Sequence, residues 1–233
     1  MQSVNIELTA SLDFRNYEAY NTLRTNIQFC GRDTQIICVT SCTPGEGKST
    51  VALRLAASLA ETGKKVLFID GDLRKSVLIK RLKVNQPIMG LSQYLSGMNK
   101  SEEVIYSTNL AGLDFIFSGP MPPNPSDLLS NKYFRVLLEN QREVYDYIII
   151  DTPPLGLVID SANVAENCDG AVIVIQADAN SHKLVQKIIR QIEKSNCRVL
   201  GAVLNKVDEK QQKRYYGRRY KQYYGSAYAS ADV

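Results

Sequence analysis

Apolar residues in this chain gather into short unbroken runs separated by stretches of helical spacing. Ile36-Ile37-Cys38-Val39-Thr40, Val66-Leu67-Phe68-Ile69, Leu113 to Phe117, Tyr147 to Ile150, Ala171 to Gln176 and Arg198 to Leu204 are for the most part continuous apolar runs. That pattern predicts strands covered on both faces, because both sets of side chains must leave water. Between them, Tyr17 to Phe29, Val51 to Thr62, Ser126 to Val144, Ser161 to Glu166 and Ser181 to Ser195 read as helices, and residues 76–109 as short helices. Gly119-Pro120-Met121-Pro122-Pro123-Asn124-Pro125 reads as a stiff loop before a helix capped near Ser126. Strand and helix in alternation predict right-handed crossovers. The expected fold is α/β: a three-layer architecture with a mainly parallel central β-sheet flanked by helices, binding ligands at the carboxyl ends of its strands.

Composition narrows this picture. At 233 residues and 44% hydrophobic content, the chain suits one domain, read as 1–205, with 206–233 as a flexible polar tail. It has no run of about 18 apolar residues and no export signal at its start, so a cytosolic location is expected. Five cysteines without C-x-x-C and a single histidine, His182, argue against a disulfide framework or a structural zinc site.

Ser41-Cys42-Thr43-Pro44-Gly45-Glu46-Gly47-Lys48-Ser49-Thr50 lies between the first buried strand and the following helix. This is the position of a nucleotide phosphate loop. Gly45 and Gly47 allow positive φ angles and close approach of backbone N–H groups to phosphate, at a helix N-terminus that favours anions. Lys48 would reach the terminal phosphates of ATP, and the Ser49 hydroxyl would ligate Mg²⁺. Pro44, Glu46 and Thr50 complete the loop. Cys42 stands where G-x4-G-K-S/T begins with glycine, and is a candidate for oxidation.

Two further strands end in carboxylates. Asp70-Gly71-Asp72-Leu73-Arg74 follows one and Asp151-Thr152-Pro153-Pro154 the other, so both tips should emerge at the edge that carries the phosphate loop. Asp151 and one of Asp70 and Asp72 suit the shell of a hard cation, and the remaining carboxylate, with Asp72 favoured, would orient or deprotonate an attacking hydroxyl. Arg74 is a candidate contact for phosphate or for a neighbouring subunit.

The end of the chain has a different character. Tyr215, Tyr216, Tyr220, Tyr223, Tyr224 and Tyr228 fall within fourteen residues, and Lys210 to Tyr228 holds six basic residues and no acid. Against a net charge of +4, this leaves the rest of the chain at about −2.

Together the phosphate loop, the D-x-D-x-R of Asp70 to Arg74, Asp151-Thr152-Pro153-Pro154 and the tyrosine-rich end resemble the bacterial tyrosine kinase family, the cytoplasmic ATPase-like kinases of capsule and exopolysaccharide systems. Ser118 to Pro125 and Arg24-Thr25-Asn26-Ile27 resemble that family as well, so the likeness spans nearly the whole chain. The resemblance implies a P-loop fold, ATP and Mg²⁺ bound by Lys48, Ser49 and Thr50, and a catalytic centre completed by Asp70, Asp72 and Asp151. It makes Tyr215, Tyr216, Tyr220, Tyr223, Tyr224 and Tyr228 the phosphoacceptors. It implies a ring-shaped homo-oligomer through E-x2-R-x2-R, for which Glu18 and Arg24 fit while Asn21 occupies the middle position. It also implies the split form, held at the inner face of the cell membrane and activated by a separate transmembrane adaptor, with a cognate tyrosine phosphatase as a further partner.

Other readings compete. A switch ATPase of the partitioning or division-site type would use the same sheet with water as the acceptor, although such proteins carry a lysine in K-G-G-x-G-K where this chain has Thr43. A nucleotide-gated scaffold would bind ATP and transfer nothing. The basic, aromatic tail also suits nucleic acid or an acidic membrane, yet six tyrosines exceed what those contacts require.

Overall fold

The computed structural model describes residues 2–8, 14–31 and 33–207. Its first half contains β1 (Gln2–Val4), α1 (Phe14–Gln28), β2 (Ile36–Ser41), α2 (Lys48–Ala60), β3 (Val66–Asp70), α3 (Leu78–Arg81), α4 (Leu91–Leu95) and α5 (Ser101–Val104). Then follow β4 (Tyr106–Thr108), β5 (Leu113–Ile116), α6 (Pro125–Leu129), α7 (Lys132–Arg142), β6 (Tyr147–Asp151), α8 (Asp160–Ala165), β7 (Gly170–Gln176), α9 (His182–Lys194) and β8 (Val199–Asn205).

Each unbroken apolar run but the last feeds two cores; β8, expected to be covered on both faces, is instead an outer strand with no buried residue and leaves Leu204 61% exposed. In β2, Ile36 and Cys38 join a cluster with Phe134, Leu137, Ala162 and Ile188 from α7, α8 and α9. Ile37 and Val39 point the other way, into a cluster with Val51, Leu55 and Leu59 of α2. The period of two therefore sends successive residues to opposite layers. Phe68, Phe115 and Phe117 stack on the α2 side with centroid separations of 4.6 and 4.3 Å, filling space that aliphatic residues would leave.

The described residues form one eight-stranded sheet in the order β1-β4-β5-β3-β6-β2-β7-β8, parallel throughout except between β4 and β5. The expected three-layer α/β fold is present, with several differences from the sequence reading. Two short strands, β1 and β4, extend the sheet beyond the six expected. The helix expected over Ser126 to Val144 is two, because the Asn131 side chain accepts from the N–H groups of Tyr133 and Phe134 and starts a new helix there.

Parallel register then brings the acidic tips together. Asp70 of β3 pairs with Asp151 of β6, and Val39 of β2 pairs with the same Asp151. The loop after β2 therefore leaves the sheet directly beside both carboxylates.

Candidate active site

Gly45 and Gly47 take φ angles of 80° and 92°, and Gly47 caps α2 without any side-chain hydrogen bond. The first-turn N–H groups of α2 are left for an anion, reinforced by the helix dipole. Glycine at 47 has a second cause: a Cβ there would lie 2.2 Å from the Asn205 amide nitrogen. The helix begins at Lys48, ahead of the expected Val51, since its polar first turn of Lys48, Ser49 and Thr50 faces the site and gives no apolar signal.

Lys48 is nearly buried. Its ammonium lies 3.2 Å from Asp151 Oδ1 and 3.8 Å from Asp72 Oδ2, and donates to Ser49 Oγ at 3.2 Å. One cation thus stands among three carboxylates. Burial, reinforced by Asp151, pushes the Asp70 carboxyl up to about 7 even though the Ser76 hydroxyl donates to it. Burial likewise raises Asp151, against the pull of Lys48. Gly71 seats the two strand ends together: its N–H donates to the Asp151 carbonyl at 2.8 Å, and a Cβ on it would come within 2.9 Å of that oxygen.

A cavity of about 520 Å³ opens over these groups. Pro44, Gly45, Gly47, Lys48, Ser49, Thr50, Asp70, Asp72, Asp151 and Arg74 all line it, so all but one of the residues expected to form the nucleotide and catalytic site meet there. The exception is Glu46. Its carboxylate is buried against the protein, accepting from Thr43 N, Gln176 N and the Asn180 amide, and it shapes the loop from behind. Thr50 Oγ1 accepts from Arg81 at 2.7 Å.

Arg74 has a fixed partner that was not expected. Its guanidinium pairs with buried Asp160 at 2.6 and 3.1 Å and donates to Ser126 Oγ, which itself donates to Asp160. Burial opposes the Asp160 charge, but Arg74 and Ser126 outweigh it and hold the carboxyl below the ordinary range. Arg74 N and Lys75 N both donate to Asp72 Oδ1, at 3.3 and 3.0 Å. The loop that carries Asp72 is thereby tied to α6 and α8. Cys42, by contrast, is buried, and burial with Glu46 nearby pushes its thiol to about 11. That opposes the thiolate on which oxidation depends.

Among the described residues no three His, Cys, Asp or Glu side chains converge on a metal-sized point. The donor set of Ser49 Oγ and strand-end carboxylates fits Mg²⁺ nonetheless, because that ion keeps water and takes phosphate oxygens in place of a full protein cage. Arg24 of the expected ring contact donates to Ser58 O and Oγ on α2, and Glu18 accepts from Asn21 at 3.4 Å. The tail tyrosines, Tyr215 to Tyr228, lie outside the described residues. No described helix is long and apolar enough to cross a membrane.

The AAA domain family model matches residues 34–203. Tyrosine-protein kinase CpsD of Streptococcus agalactiae is 47% identical over 192 residues, covering 82% of this chain and 84% of that protein. The kinase domain of the Escherichia coli tyrosine kinase ETK superposes with a TM-score of 0.78 at 37% identity, over 82% of this chain and 76% of that one. The septum site-determining protein MinD of Pyrococcus horikoshii, solved with Mg-ADP, follows at 0.64 and 27% identity, over 73% of this chain and 69% of that one. The fold is shared with both structural neighbours, but the sequence kinship runs to the kinases over most of the length, and the chain belongs to the bacterial tyrosine-protein kinases.

Proposed function

We propose that this protein is an ATP-dependent protein-tyrosine autokinase that passes the ATP γ-phosphate to tyrosines of its own 206–233 segment, between subunits, and so regulates capsule or exopolysaccharide synthesis. The observation that carries the reading is the Lys48 ammonium set between Asp151 and Asp72 at the open N-terminus of α2. A cation there neutralises charge on the transferring phosphoryl group, which is the main task in this chemistry. Bound Mg²⁺, held through Ser49 with Asp151 and Asp70, would add further neutralisation.

Asp72 is the carboxylate that meets the acceptor. Its residue exposure is 9% against 0% for Asp70, and it borders a second, smaller cavity between the Asp72–Ser76 loop and Gly119. The phenol oxygen attacks the γ-phosphorus, its proton passes to the carboxylate, and the bond to the bridging oxygen of ADP breaks. Phosphorylation of all six tyrosines would add roughly −9 to −12 to a segment that begins strongly basic. Its charge would reverse, favouring release from a neighbouring subunit. The same reading includes a separate transmembrane adaptor that brings the chain to the membrane and activates it, a ring of subunits through α1, and a phosphatase that resets the tail.

The likeness to MinD supports a second reading, an ATPase switch. Phosphate transfer from γ-labelled ATP with Mg²⁺, with the adaptor's cytoplasmic segment present, separates the two when Tyr215 to Tyr228 are mapped by mass spectrometry. Label on these tyrosines that is lost in Lys48→Met is the expected result. Released phosphate with an unlabelled tail would replace the kinase by the switch.

A further inference from the structure

The phosphate loop is braced from an unexpected place. At the end of β8, Asn205 donates its side-chain amide to the Glu46 carbonyl at 2.8 Å, and the Lys206 ammonium donates to the Gly45 carbonyl at 2.6 Å and to Gln176 Oε1 at 3.1 Å. Lys206 takes a left-handed backbone with φ 55°, a conformation that costs a non-glycine residue about 1 kcal/mol or more. Its side chain lines the cavity over Lys48, Asp70 and Asp151.

These two donors cap consecutive carbonyls. In a trans peptide the N–H points away from the C=O, so the units capped at Gly45 and Glu46 carry the N–H groups of Glu46 and Gly47 on their opposite side. A carbonyl that accepts from a cation also polarises its own peptide, making that N–H a stronger donor. The loop's anion-binding edge is thus set from behind, and at Gly45 the charge comes from Lys206.

We propose that Lys206 is a positioning residue of the nucleotide site: acting through the Gly45 carbonyl, it holds the phosphate loop in its anion-receiving shape. It rests on the reading of the cavity as an ADP and ATP site. It also makes the root of the tyrosine segment part of that site, since the segment begins at this lysine.

Calorimetric titration of the full chain with Mg-ADP tests it, beside melting of the nucleotide-free protein. Lys206→Gln should weaken Mg-ADP binding about 10-fold, the worth of one charge-assisted hydrogen bond, without lowering the nucleotide-free melting temperature. Lys206→Arg should recover most of the affinity. Wild-type affinity in a folded Lys206→Gln overturns the proposal, as does equal weakening in Gln and Arg variants. Should Lys206→Gln melt early, Gln176→Ala takes its place, keeping the lysine and removing its second acceptor. A loss of about 3-fold is then expected, and unchanged affinity overturns the role. Absence of Mg-ADP binding by the wild-type chain would instead overturn the nucleotide site itself.

Discussion

The two ends of the central sheet treat their carboxylates in opposite ways. At the amino end, Asp169 precedes β7 and accepts from Gln35 N, Ile36 N and both terminal nitrogens of Arg142, at 2.7 to 3.0 Å. Burial works against its charge, yet Arg142 and the two backbone donors win and hold the carboxyl below the ordinary range. At the carboxyl end, Asp70 and Asp151 share the Lys48 region with Asp72 and are both raised. A carboxylate with every oxygen satisfied fastens strands. Crowded acids around one lysine destabilise the fold, and that arrangement persists where charge must be ready to receive a ligand. The difference separates structural from chemical acids more clearly than burial does.

The largest expected effect divides the two ends by substitution. Asp72→Asn should lower tail phosphorylation by at least about 100-fold, the usual contribution of a general base, with little change in melting temperature. Asp169→Asn should cost about 2 kcal/mol in denaturant unfolding, through lost charge-assisted hydrogen bonds, while transfer per folded molecule stays within about two-fold. Comparable activity losses in both variants would erase the distinction.

A smaller effect lies in pH dependence, measured on nucleotide-free and metal-free protein. The Asp70 carboxyl rises from an ordinary 3.8 to about 7 in the fold. Its contribution is therefore fully present below pH 3.8 and is lost as pH rises through about 7. Asp169 is lowered, so its contribution is present above its ordinary range and is lost as pH falls below it. Unfolding of Asp70→Asn should show roughly 2–4 kcal/mol more stability than wild type at pH 8, shrinking toward pH 4. Asp169→Asn should show a deficit at pH 7 that shrinks below pH 4. Parallel pH profiles for the two variants would contradict the opposite signs.

Much of the site was legible because its signals are local. Strand, glycine loop and helix follow one another within Ile36 to Ala60, and the acids sit immediately after apolar runs, so parallel register alone brings Asp70 beside Asp151. The short strands Gln2–Val4 and Tyr106–Thr108 were not legible. Three residues carry too little pattern, and β1 forms only because β4 offers it a partner. The break at Asn131 has a readable cap signal, outweighed by apolar spacing that continues across it. The groups that position the site were hidden for a third reason. Glu46, Asp160, Asn205 and Lys206 act chiefly on partners 30 to 161 residues away, several of them backbone groups, and nothing in their own surroundings announces such a contact. Lys206 in particular stands in a polar run that reads as tail.

Asp160 sharpens the comparison, because it lies at the chemical end yet is built like Asp169. It is fully buried, lowered, and matched by a bidentate guanidinium and a hydroxyl. If satisfaction of the oxygens, and not position in the sheet, decides a carboxylate's role, Asp160 fastens the loop and takes no part in proton transfer. Asp160→Asn keeps the shape and removes the charge that anchors Arg74, so the Asp72 loop loosens without losing its acid. Transfer to the tail should fall about 10-fold, well short of Asp72→Asn, from misplacement alone. The pH dependence of the remaining activity should keep its wild-type midpoint, since the proton acceptor is unchanged. Ser126→Ala, which removes one of the two partners, should fall less, by about 3-fold. A shifted midpoint in Asp160→Asn would make Asp160 one of the chemical acids, and satisfaction of its oxygens would no longer distinguish the two kinds.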